Sequence, residues 1–109
     1  MRARNPHEMI DRINAEQDRL IASRLRNDKR ILSLARQNLK RWMARDKRPR
    51  RTFLEWDSIL TRLTATEIAD FLESGTPMAQ RLSQSSPFAG ALTDEERMAI
   101  FYKHEKARA

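Results

Sequence analysis

Cysteine is absent from the 109 residues. No disulfide, thiolate nucleophile or cysteine-ligated zinc is therefore open to this chain. Histidine occurs only at His7 and His104, and no cluster of spaced carboxylates accompanies either, so neither a metal site nor a histidine-based catalytic triad is expected. Two glycines leave no material for a phosphate-cradling loop. Aromatic residues make up 6% and apolar residues 39%, against 34% charged. A chain of this length and composition folds as a single domain, 1–109, with a modest core. No apolar run approaches the roughly 20 residues of a bilayer span, and the basic start Met1-Arg2-Ala3-Arg4 is not followed by the apolar stretch of a signal peptide. A cytoplasmic protein without membrane contact or cofactor is the expectation.

What is present in excess is positive charge, and it is unevenly placed. The formal net charge is +7, yet residues 1–51 hold 16 Lys/Arg against 6 Asp/Glu while residues 52–109 hold 6 against 9. The densest stretch contains Arg41, Arg45, Lys47, Arg48, Arg50 and Arg51. Such a field attracts polyanions or an acidic protein face and raises the rate of encounter with either.

Helix starts are plainly marked. Asn5 precedes Pro6 and is followed three residues on by Glu8, the pattern of a capped start with proline in the first turn. A Thr-x-x-Glu capping box recurs at Thr52/Glu55, Thr64/Glu67 and Thr93/Glu96. Apolar residues between these starts keep a helical period: Ile10, Ile13, Leu20, Ile21 and Leu25, interrupted by Gln17; Ile31, Leu34, Ala35, Leu39, Trp42 and Met43; Phe53, Trp56, Leu60 and Leu63; then Ile68, Phe71 and Leu72. Pro49 restricts Arg48 and ends the second stripe. Gly75, followed by Thr76 and Pro77, ends one helix and opens the next. Helices are predicted near 6–26, 28–46, 52–62, 64–74, 76–84 and 93–105. Sustained period-two alternation is missing, so the class is all-α, a compact bundle of five to six short helices with Trp42, Phe53, Trp56 and Phe71 in its core.

Three stretches are candidates for function. The first is the basic corner, where Arg41, Arg45, Arg48, Arg50 and Arg51 surround Trp42 with the composition of a phosphate-contacting surface bearing one aromatic face. An arginine fork pairs equally well with carboxylate, so an acidic protein partner suits the corner too. The second is 64–82, which reads as a helix-turn-helix with Gly75 in the turn and Gln80, Arg81 and Gln84 facing outward. Glu73 and Ser74 depart from that motif at turn positions. The third is the turn-rich connection 81–90, in which Phe88 anchors to the core while Arg81, Ser85 and Ser86 meet a partner. Catalysis is not expected: Glu55 and Asp57 point to different faces of one helix, and Asp94, Glu95 and Glu96 are a first-turn cluster that the helix dipole explains.

The string Arg81-Leu82-Ser83-Gln84-Ser85-Ser86-Pro87-Phe88-Ala89-Gly90, its continuation through Leu92-Thr93 and Glu95-Glu96-Arg97, and the upstream pairs Asn38-Leu39, Arg41-Trp42 and Glu55-Trp56 together resemble a group of short bacterial proteins of about this length. That resemblance implies an antitoxin-like role beside a nucleotidyltransferase-type toxin. The expected function is neutralisation of a cognate toxin by occlusion, with Arg41, Arg45, Arg48, Arg50, Arg51, Arg81, Ser85, Ser86 and Phe88 as the contact residues. The alternative is a helix-turn-helix regulator that binds DNA.

Overall fold

Six helices carry the apolar stripes, in the order α1 (Pro6–Asn27), α2 (Arg30–Ala44), α3 (Arg51–Arg62), α4 (Ala65–Glu73), α5 (Pro77–Ser83) and α6 (Asp94–Arg108). This computed structural model describes residues 6–108. The all-α expectation holds, and no strand is present among the described residues.

Capping chemistry sets most of the starts. Thr64 closes a reciprocal box with Glu67: the Glu67 N–H donates to Thr64 Oγ1 at 3.1 Å, and the Thr64 N–H donates to Glu67 Oε1 at 2.9 Å. Thr93 and Glu96 repeat it at 2.8 and 3.1 Å. Thr76 caps α5 by accepting the Ala79 N–H, with Pro77 in the first turn. Gly75 lies at φ 67°, the left-handed conformation that lets the chain turn out of α4.

The Thr52 box does not form. Helix α3 begins one residue earlier, capped by the extended Arg50 with no side-chain bond, and Glu55 faces Arg81 instead. Two charge-assisted bonds to a guanidinium outweigh one to a backbone amide. The Asn5/Glu8 start includes Asn5, which lies outside the described residues. Helix α2 is shorter than expected at both ends. Asp28 spends its carboxylate on the Arg30 N–H and guanidinium, making a turn rather than a helical residue, and the helix stops at Ala44.

Packing centres on α1, which lies against α4 over the greatest length and also touches α6, α5 and α2; α2 pairs with α3, and α4 with α5. Trp56 is fully buried and meets Phe71 and Phe88 edge-to-face, each at 6.1 Å between ring centroids. It is the only one of the four aromatic residues assigned to the core that is fully enclosed. Phe71, Trp42 and Phe53 are half-buried against the cluster, and Ile10 at the start of α1's stripe is 46% exposed. Cross-chain polar ties add to the packing: the Arg24 fork grips Glu96, Arg26 spans Asp70 and Glu73, and Arg36 donates to the Leu60 carbonyl at 2.9 Å.

One polar group inside the core works against it. Asp18, 5% exposed, sits between α1 and α5 with a single partner, the Ser83 hydroxyl, which donates to Oδ2. Burial raises its pKa from 3.8 to about 6, although the Ser83 bond pulls the other way. Because the folded value lies above the unfolded one, Asp18 favours folding when protonated, and that benefit is lost as pH rises through about 6. Glu96 behaves oppositely. Hydrogen bonds from Arg24 and from Thr93 hold it down at about 2, so its contribution is present above the ordinary 4.5 and disappears as acid brings the pH toward the folded value. Asp18→Asn is therefore expected to raise stability at neutral pH by up to about 3 kcal/mol, with the gain closing below about pH 4. Urea denaturation at the two pH values measures it; a variant equally destabilised at both would contradict the assignment.

Candidate functional site

Residues 81–90 run from the last turn of α5 into the connection to α6, and among the described residues no buried side-chain nitrogen or oxygen lacks a partner. Trp56 Nε1 donates to the Leu82 carbonyl at 3.0 Å. Asn38, 4% exposed on α2, donates its amide to the carbonyls of Pro87 and Ala89, both at 2.9 Å. Arg41 donates to Asn38 Oδ1 and so fixes which way that amide faces. The Ser86 hydroxyl accepts the Phe88 N–H at 3.2 Å. Phe88, 2% exposed, and the buried Pro87 plug the loop into the core. Gly90 turns at φ 91° toward α6.

This anchoring gives several expected contact residues a different task. Arg81 forms a two-pronged pair with Glu55 at 3.0 and 2.8 Å, which holds α5 on α3 and lowers the Glu55 pKa. Phe88 is enclosed, and Arg41 orients Asn38. Phe88 thus belongs to the scaffold, whereas Arg41 and Arg81 remain exposed while bracing it. The upstream residues of the resemblance, Asn38, Arg41, Glu55 and Trp56, are the very groups that hold the 81–90 segment in place.

The held loop forms one wall of a groove of about 520 Å³. Gln84, Ser85 and Ser86 face Trp42, Arg45 and Asp46 from the end of α2 and Arg50 and Phe53 from the start of α3. Two separate stretches of the sequence, the basic corner and the serine loop, thus meet at one place. Trp42 and Phe53 stack obliquely, with ring centroids 5.5 Å apart and planes at 37°, and the Arg50 guanidinium carbon lies 5.8 Å from the Phe53 centroid. Arg45 and Arg50 are exposed and make no ion pair among the described residues. Asp46 is the one carboxylate on the lining. Arg48 and Arg51 are exposed outside it, so they add to the field rather than to the walls. Behind the loop a smaller cavity of about 210 Å³ reaches Asp18, Ser83 and Ser86, which places Ser86 between the two hollows.

Chemically the groove offers two free cations, a flat apolar wall, hydroxyl and amide groups, and one acceptor carboxylate. That set recognises an anionic group carried on a planar or apolar stem. No group of three or more metal-ligating side chains occurs among the described residues. Comparison with family models, with curated proteins and with solved structures returned no match for this chain.

Three members of the site are unexpected there. Asp46 is an exposed polar residue of ordinary type that no local pattern marks, and Phe53 reads as a core residue yet lines the groove. Asn38 did carry a signal: it stands seven residues after Ile31 and four before Trp42, on the apolar face of α2, where a polar side chain must find buried partners.

Loss of the clamp is measurable. Asn38→Ala leaves the Pro87 and Ala89 carbonyls without their donor and is expected to cost about 1–3 kcal/mol per buried carbonyl, while Phe88→Ala costs about 3–5 kcal/mol. Ser85→Ala, whose side chain points to the groove, should stay within about 0.5 kcal/mol of wild type. Chemical denaturation of the three variants checks the order; an unaffected Asn38→Ala would remove the clamp from the account.

Proposed function

We propose that this chain is an interaction protein whose cationic aromatic groove captures an acidic segment of a partner protein, and that the partner is a cognate toxin of nucleotidyltransferase type. The chain then acts as the antitoxin, and the mechanism is occlusion: the bound face covers the toxin's working cleft. The observation that carries the reading is the convergence of Arg45 and Arg50, both without an acidic partner, with Ser85 and Ser86 across one hollow. A binding role suits these groups better than catalysis, because neither groove hydroxyl, Ser85 or Ser86, is hydrogen-bonded to the Asp46 carboxylate or to another base among the described residues.

A protein partner is favoured over a nucleic acid by the shape and charge of the site. A phosphate backbone is matched by a stripe of cations along a groove, whereas here the free arginines crowd one corner and Asp46 shares the hollow with them. The helix-turn-helix alternative relies on α5, which is seven residues long, and Arg81 on that helix is occupied by Glu55. Only glutamines and a paired arginine remain there to read bases.

Arg45→Glu combined with Arg50→Glu tests the reading. Co-expressed with the product of the adjacent toxin gene, the double variant is expected to lose rescue of growth and to bind at least about a hundredfold more weakly, because two attractive contacts become repulsive. Its thermal unfolding should match wild type, since both side chains are exposed. Rescue equal to wild type would exclude the groove. Tight duplex DNA binding that weakens steeply with salt would move the assignment to the regulator.

A further inference from the structure

Among the described residues, helix α6 is held chiefly by α1, from one side. Its inner face carries the buried Ile100, with Glu96 gripped by Arg24 at one end and Lys103 and His104 bonded to Glu16 at the other. At 100° per residue, the direction opposite Ile100 is occupied by Met98 and Tyr102, with Phe101 on the adjoining flank. These are 45%, 57% and 39% exposed, and the Phe101 and Tyr102 rings touch at 5.7 Å between centroids. Three large apolar side chains on consecutive turns of one solvent-facing stripe are more than scattered surface residues.

The charges around this stripe say what covers it. Of the three first-turn acids, Asp94 pairs with Arg97 and Glu96 with Arg24, while Glu95 has no ion pair. Toward the other end Lys103 is taken by Glu16, and Lys106, like Glu95, has no ion pair among the described residues. Glu95 and Lys106 are three turns apart and lie along the same flank as Tyr102. A second α6 laid antiparallel across the first, with its two-fold axis level with the bond between Ile100 and Phe101, brings Glu95 of each copy beside Lys106 of the other. The two aromatic pairs then meet at the centre. Like charges would face each other if the helices ran parallel. The stripe also lies in the half of the chain where acidic residues outnumber basic ones, so self-association there avoids the repulsion of the basic corner.

We infer that the chain self-associates through the Met98/Phe101/Tyr102 face of α6, as an antiparallel two-fold dimer sealed at each end by a Glu95–Lys106 pair. An isologous contact of this kind requires only one self-complementary patch. One helix face is a small interface, so the dimer is weak and reversible and reaches full occupancy only at high protein concentration.

Sedimentation of the full chain over a concentration series up to the millimolar range tests this. Wild type is expected to pass from monomer to dimer. Phe101→Asp should abolish the dimer, and Tyr102→Glu serves as a second, more exposed site with the same outcome. Glu95→Lys alone and Lys106→Glu alone should each raise the dissociation constant about tenfold, and the combined reversal should return it toward wild type. Circular dichroism identical to wild type shows that each variant is folded. A monomer at every concentration overturns the proposal, as does a dimer indifferent to Phe101→Asp and Tyr102→Glu, or one that either charge reversal leaves unchanged.

Discussion

A single buried amide, that of Asn38, decides the shape of the molecule's open face. Residues 84–90 have no helix of their own, and a segment without regular structure keeps its backbone carbonyls satisfied only if something else donates to them. Asn38 supplies two donors to Pro87 and Ala89, and Trp56 supplies one to Leu82. With those carbonyls satisfied, Pro87 and Phe88 can enter the core. With Phe88 in the core, Gln84, Ser85 and Ser86 are fixed opposite Trp42 and Phe53. The groove therefore follows from hydrogen-bond accounting inside the protein before any question of a partner arises.

The fold was legible because its signals are local. Thr64, Thr93 and Thr76 each announce a helix within four residues, and the stripe running from Ile31 to Trp42 repeats often enough to give its own period. Where a nonlocal interaction competes, the local signal loses. Glu55 was matched to Thr52 three residues away, but Arg81, 26 residues on, offers it a better geometry. Ile10 keeps the period of the α1 stripe yet stays 46% exposed. Half of the site was legible in the same sense. Arg45 and Arg50 stood out by charge, and Ser85 and Ser86 by their turn-rich setting, yet nothing in either stretch says that the two adjoin. That adjacency is a product of the α2–α3 pairing and of the Asn38 clamp. Phe88 carried the right chemistry for contact and is enclosed by the core, while Arg41 and Arg81, still exposed, are engaged by Asn38 and Glu55, neighbours that periodicity does not reveal.

Asp18 shows the same core tolerating a group it would be more stable without. A carboxylate with one hydroxyl partner in a nearly closed site loses more by desolvation than that bond returns. The remaining polar residues around it, Asn14 and Gln17 among them, line the small hollow behind the loop and keep the region from closing into a dry apolar contact. The physical consequence is that α1 and α5 meet at their least favourable point directly beneath the segment that builds the groove.

The surplus charge has a definite location for a reason that the intramolecular pairs explain. Arg24 is matched by Glu96, Arg26 by Asp70 and Glu73, Arg30 by Asp28, Arg81 by Glu55 and Lys103 by Glu16. Each pair ties elements together or stiffens a turn, and each takes a cation and at least one anion out of the long-range field. After those cancellations the connection between α2 and α3 and the first residue of α3 retain Arg45, Lys47, Arg48, Arg50 and Arg51, with Asp46 among them and Glu55, already held by Arg81, near Arg51. Such crowding opposes folding by like-charge repulsion and gives nothing back to the core, since these side chains are exposed. The folded chain alone offers no use for it. A partner bringing negative charge to this corner would relieve that repulsion as it bound, and the relief would add to the affinity of any contact made in the groove.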